Sequence, residues 1–139
     1  MSEDKTRDDK EPRRKDAIIK HWKRDFRRGL LQLMILMLIK LRTQDAHGYG
    51  LIKLIRESGI GIQLKAGTIY PLLKRMENDE LISSVIADDS DSPGMPRRIY
   101  TIETAGENMI EEMMSTYEAY HSFIKKWYQE IEDLSRRRI

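Results

Sequence analysis

The chain has 139 residues, enough for one domain that buries a core with help from a partner subunit. It contains no cysteine, which excludes disulfides and thiolate sites and is compatible with a reducing cytoplasm. Charged residues make up 35% of the sequence yet the formal net charge is only +2, so any electropositive surface has to be local.

Residues 1–12 mix both charge signs without an apolar pattern and are expected to form a disordered arm; they are polar throughout and show no signal peptide. Residues 13–28 predict an extra basic amphipathic helix. Ile18, Ile19, Trp22 and Phe26 recur at helical spacing, while eight Lys and Arg, against Asp16 and Asp25, fill the other positions. Three roles stay open for it: packing on the C-terminal helix, lying on DNA, and, least favoured, lying on a membrane surface. Gly29 to Leu41 predicts the next helix. Its run from Leu30 to Ile39 is apolar nearly all round and far shorter than the ~20 residues a bilayer requires, so it reads as a buried core helix.

Asp45 to Gly50 leads into Leu51, Ile52, Leu54 and Ile55, a helix of about three turns that stops near Ser58-Gly59. His47 reads as a helix-start or packing residue. Gly59-Ile60-Gly61 leads to no helix start of the kind a phosphate loop needs.

The third helix is the informative one. In Lys65 to Glu77, Thr68 is expected to cap and Pro71 to lie in the first turn, where a missing N–H costs little. Ile69, Leu72, Leu73 and Met76 form an apolar stripe. Thr68, Tyr70, Lys74 and Arg75 fall off it, and Lys65 precedes them. Hydroxyls and cations at the positive end of a helix suit a phosphate backbone. Leu81–Ile86 and Arg97–Ile102 read as strands joined by turn formers from Ala87 to Pro96, a hairpin with Arg97 and Arg98 at its base. Asp88, Asp89 and Asp91 at the tip confine any phosphate contact to that base. Helix, helix, capped helix, hairpin is the order of a winged helix-turn-helix module, expected over residues 29–103, whose third helix enters the major groove.

Residues 104–139 predict a long dimerisation helix. Thr104 followed by Glu107 has the spacing of a capping box. Ile110, Tyr117, Ile124 and Ile131 alternate with Met113, Tyr120, Trp127 and Leu134 in steps of three and four, a heptad seam. Such a seam is too large to leave in water, which points to a homodimer, the alternative being that the helix folds back on its own N-terminal helix alone. Tyr117, Tyr120 and Trp127, with Trp22, either fill that interface or line a flat slot for a hydrophobic, aromatic or cationic ligand.

Three blocks resemble the signature of PadR-type transcriptional regulators: His47-Gly48-Tyr49-Gly50, then Gly67-Thr68-Ile69-Tyr70-Pro71-Leu72-Leu73-Lys74-Arg75-Met76-Glu77, then Arg97-Arg98-Ile99-Tyr100-Thr101-Ile102-Glu103-Thr104-Ala105-Gly106. Order and spacing agree as well, over roughly residues 29–134; Met76 and Ile102 stand where the family more often has Leu. The resemblance implies a mainly α fold with a small β-hairpin, acting as a homodimeric DNA-binding regulator, usually a repressor, in the prokaryotic cytoplasm at the nucleoid. The DNA contacts expected are Lys65, Thr68, Tyr70, Lys74, Arg75, Arg97 and Arg98, on a palindromic operator. No cofactor, metal or membrane partner is expected. His21, His47 and His121 are too scattered for a metal site, and Glu111-Glu112 sits on a solvated helix face, so the chain does not read as an enzyme. The rival reading is a dimeric adaptor whose winged domain binds protein instead of DNA.

Overall fold

The computed structural model describes residues 2–42, 46–59, 65–87 and 97–137. Six elements follow in order: α1 (Ser2–Leu41), α2 (Gly48–Glu57), α3 (Ala66–Asn78), β1 (Ile82–Ala87), β2 (Arg97–Ile102) and α4 (Thr104–Arg137). The chain divides into two compact units, residues 1–34 and 35–139.

The first unit is helical. Residues 2–12, expected as an unstructured arm, are helical, and the extra helix and the Gly29–Leu41 helix are one with them. Lys, Arg and Glu are good helix formers, and lengthening an existing helix avoids the cost of nucleation. Apolar periodicity is blind to a helix that has no apolar stripe. Ile18, Ile19, Trp22 and Phe26 are all exposed, with the Trp22 and Phe26 rings stacked at 5.2 Å.

The second unit holds the winged module. Its core takes Ile35, Leu36 and Ile39 from the end of α1, Leu51, Ile52 and Ile55 from α2, Ile69, Leu73 and Met76 from α3, and Ile82 and Tyr100 from the hairpin. Leu72, expected on the stripe, is half-buried at its margin. α2 packs on α3, and α3 on β1. The α2 helix ends as expected, with Ser58 as its C-cap and Gly59 at φ +82°, a conformation glycine adopts freely. The hairpin is antiparallel in the register Ile82↔Ile102 to Ala87↔Arg97. Alternation puts Ile82, Ser84, Ile86, Arg98, Tyr100 and Ile102 on one face, buried near α3 and exposed towards the tip. The tip itself, with Asp88, Asp89 and Asp91, lies outside the described residues.

The α4 helix starts at the hairpin base. Its first helical bond runs from Glu107 N to Glu103 O (3.0 Å), so Glu103 holds the capping position and the expected box of Thr104 and Glu107 is displaced by one residue into the helix. Glu103 N also donates to Leu81 O (2.9 Å), tying the end of β2 to the start of β1. Lys40 pairs with Glu107 across the same unit. Among the described residues no helix is long and apolar enough to cross a membrane.

Candidate nucleic-acid interface

Two glycines shape the entrance to α2. His47 caps that helix: its Nδ1 accepts the Gly50 N–H at 3.0 Å. The ring lies so close over Gly50 that a Cβ there would meet Cε1 at 2.8 Å. A Cβ on Gly48 would meet the Tyr70 ring at 2.6 Å. The missing side chains therefore allow α2 to seat both rings. The expected helix-start role of His47 is what the geometry gives it.

The α3 helix begins earlier than its sequence suggests. Lys65, extended at φ −97° and ψ 147°, is the N-cap residue and makes no side-chain cap bond. Thr68, expected as the cap, is the third helical residue, with its amide donating to Lys65 O at 2.9 Å. Ala66 and Gly67 adopt helical geometry without needing a side-chain cap. Pro71 is accordingly the sixth residue, past the first turn, and the Gly67 carbonyl goes without the amide usually supplied four residues ahead. Thr68, Tyr70, Lys74 and Arg75 are exposed off the stripe of Ile69, Leu73 and Met76, and Lys65 is exposed at the cap.

The wing is tied to this helix, and Arg97 and Arg98, expected at its base, stand at its tip end opposite Ala87 and Ile86, because β2 begins directly after the tip. Arg98 Nη1 donates to Ser84 Oγ (3.0 Å), and Ser84 Oγ donates to Glu77 Oε1 (2.6 Å). This relay holds one arginine of the hairpin to α3. Arg97 and Arg98 are exposed and, together with His47, Gly48, Tyr49, Tyr70 and Tyr100, line a cavity of about 670 Å³. Burial pushes the Tyr100 phenol above its ordinary pKa, with the charge of Arg98 pulling the other way. The cavity joins the starts of α2 and α3 to the wing. Tyr49 and Tyr100 were not among the expected site residues. The sequence did carry a signal: two glycines around Tyr49 in a first helical turn are costly unless another side chain needs their space.

The seam residues lie along α4. Ile110 and Met113 are half-buried near the module; Tyr117, Tyr120, Ile124, Trp127, Ile131 and Leu134 are exposed. Phe123 and Tyr128, which the heptad reading omits, are exposed beside them. Rings meet along the helix, Tyr117 stacked on His121 at 5.8 Å and Phe123 tilted against Trp127 at 5.9 Å. Trp22, the remaining residue of the expected slot, belongs to the first unit. Among the described residues no group of three or more His, Cys, Asp or Glu is placed to hold a metal ion.

A two-helix turn motif whose second helix exposes its start, flanked by a hairpin with arginines at its tip end, defines a winged-helix DNA-binding module. Residues 35–112 match the Transcriptional regulator PadR-like family. A PadR family transcriptional regulator from Eggerthella lenta is similar at 26% identity and a TM-score of 0.69, covering 80% of this chain and 92% of that one. A PadR-like transcriptional regulator from Bacillus cereus is 27% identical with a TM-score of 0.63, covering 76% and 97%. An uncharacterised protein from Lysinibacillus sphaericus is 28% identical over 109 residues, 78% of this chain and 96% of that protein. The chain belongs to the PadR-like family of transcriptional regulators and is a DNA-binding regulator of transcription.

Proposed function

We propose that this regulator works as a homodimeric repressor on a palindromic operator in the bacterial cytoplasm. The observation that carries the reading is the set of exposed hydroxyls and cations from Lys65 to Arg75 along α3, beside Arg97 and Arg98. Two such faces, set about 34 Å apart by a two-fold axis through the α4 seams, would enter successive major grooves. Lys65, Thr68, Tyr70, Lys74, Arg75, Arg97 and Arg98 would supply the phosphate contacts that fix register. The start of α3 is poor in Arg, Asn and Gln, so sequence choice leans on DNA shape and bridging water.

A salt-titrated mobility shift on DNA from the gene's own upstream region tests this. Binding that weakens steeply with salt supports it; indifference to that DNA at low ionic strength rejects it. Within the same assay, Lys74→Ala is expected to weaken binding to every duplex alike and to flatten the salt slope by about one unit. An unchanged slope removes Lys74 from the interface. Gly48→Ala tests the placement of Tyr70. The added methyl displaces the phenol, so affinity should drop several-fold while thermal stability stays near that of the wild type, because the displaced ring is already about half exposed. Full affinity in that variant would remove the Tyr70 position from the reading.

The exposed rings of α4 support an input as well: a hydrophobic or aromatic small molecule that binds among them and releases the operator. Tryptophan fluorescence screened against hydrophobic cations checks this, and no quenching by any compound rejects it.

A further inference from the structure

The positive charge of this chain is not concentrated where α3 reads DNA. Residues 13–28 carry eight Lys and Arg against two carboxylates, while the whole chain nets only +2, which leaves the rest with four more acidic than basic residues. This segment is helical and lies wholly before residues 35–112, so the family match does not account for it. Every residue in it is exposed except Arg27, which is half-buried.

At 100° per residue, Ile18, Ile19, Trp22 and Phe26 fall within one arc of about 100°, and seven of the eight cations fall on the half of the helix that the arc leaves. Of the two carboxylates, Asp25 lies 3.7 Å from the Arg24 guanidinium. Sixteen residues at 1.5 Å rise make a cationic strip about 24 Å long. Duplex DNA presents roughly one phosphate charge per 1.7 Å of axis, so a strip of that length meets enough phosphates to engage most of its cations.

We propose that the cationic face of residues 13–28 is a second DNA contact, sequence-independent, that binds the phosphate backbone and supplies much of the salt-dependent affinity. The inference rests on the DNA-binding reading above. Charge density favours duplex DNA over a lipid surface: one cation for every two residues outweighs an apolar arc of four side chains, and counterion release rewards each cation separately.

The test uses the full chain with Lys20→Gln, Lys23→Gln, Arg24→Gln and Arg27→Gln combined. Its affinity for labelled duplexes, one of unrelated sequence and one from the gene's upstream region, is measured across a salt series. The slope of log affinity against log salt should become shallower by about two to four units. Affinity for the unrelated duplex should fall at least tenfold, with the preference for the upstream duplex kept or widened. A charge-preserving set (K20R, K23R, R24K, R27K) should retain the wild-type slope; if it loses as much as the neutral set, charge is not the cause and the inference fails. An unchanged slope in the neutral variant overturns it, and does so in favour of a lipid surface where the same variant loses wild-type binding to anionic phosphatidylserine vesicles. A wild type that binds no duplex at low salt defeats the DNA-binding reading itself, an outcome distinct from either.

Discussion

Gly106→Ala is expected to unseat α4 from the wing and to destabilise the module severely. A Cβ built on Gly106 lies 2.2 Å from the Leu81 carbonyl oxygen, 2.8 Å from Ile102 Cγ1 and 3.1 Å from the Leu81 carbonyl carbon. Neither Leu81 atom is the movable end of a side chain. The carbonyl is held in place because Leu81 O accepts from Glu103 N, and Leu81 itself is buried. Relief requires the first turn of α4 to lift, which exposes part of the hairpin base. Overpacking of this kind costs roughly 1–3 kcal/mol and more where backbone has to move, and a domain of this size loses several degrees of melting temperature for each kcal/mol. Thermal unfolding followed by circular dichroism should therefore show a drop of about 10 °C or more. Gly67→Ala is the matched control: its Cβ meets nothing within 4 Å, and an exposed helical glycine changed to alanine should leave stability unchanged or raise it by about 0.5–1 kcal/mol. Equal melting temperatures for the two variants would show that the α4 start does not depend on the gap at Gly106.

The second large effect is expected from Ile124→Glu combined with Trp127→Glu. Both side chains are more than half exposed on the single chain, so the fold of one subunit loses little when they change. If two copies meet along this seam, as proposed, the same change places charge within its apolar stripe, where burial penalises it. Sedimentation should shift from dimer to monomer at micromolar concentration while the helical signal persists. Loss of the second half-site contact should lower operator affinity by about 100-fold or more. A variant that still sediments as a dimer, or a wild type that is already monomeric, would remove the seam from the account.

Reading the sequence recovered those parts of the fold in which side-chain pattern and backbone chemistry coincide. The strand Arg97–Ile102 and the end of α2 at Ser58-Gly59 follow from β-prone residues beside turn formers and from a glycine that tolerates positive φ. The start of α3 was misplaced because a threonine three residues into a helix offers the same hydroxyl as one at the cap; only the extended backbone of Lys65 separates the two cases. The helicity of residues 2–12 was invisible for a different reason. Nothing apolar repeats there, and a charged segment can be helical without an amphipathic stripe. In the candidate site, the exposed positions of α3 follow from the apolar stripe on its other face. The cavity beside them does not, because it depends on Tyr70 reaching Gly48 and on Tyr100 returning from the hairpin, and both contacts join residues distant in sequence.

The short segment ahead of α2 has one more consequence. His47 bridges Ile99 in antiparallel fashion, and Tyr100 N donates to Ala46 O at 2.7 Å. Along this stretch the outer rim of β2 is therefore already occupied by the protein's own backbone. An extended peptide, or the wing of a neighbouring molecule, finds no row of open amides and carbonyls there to continue the sheet. Self-association through strand addition is blocked on that side.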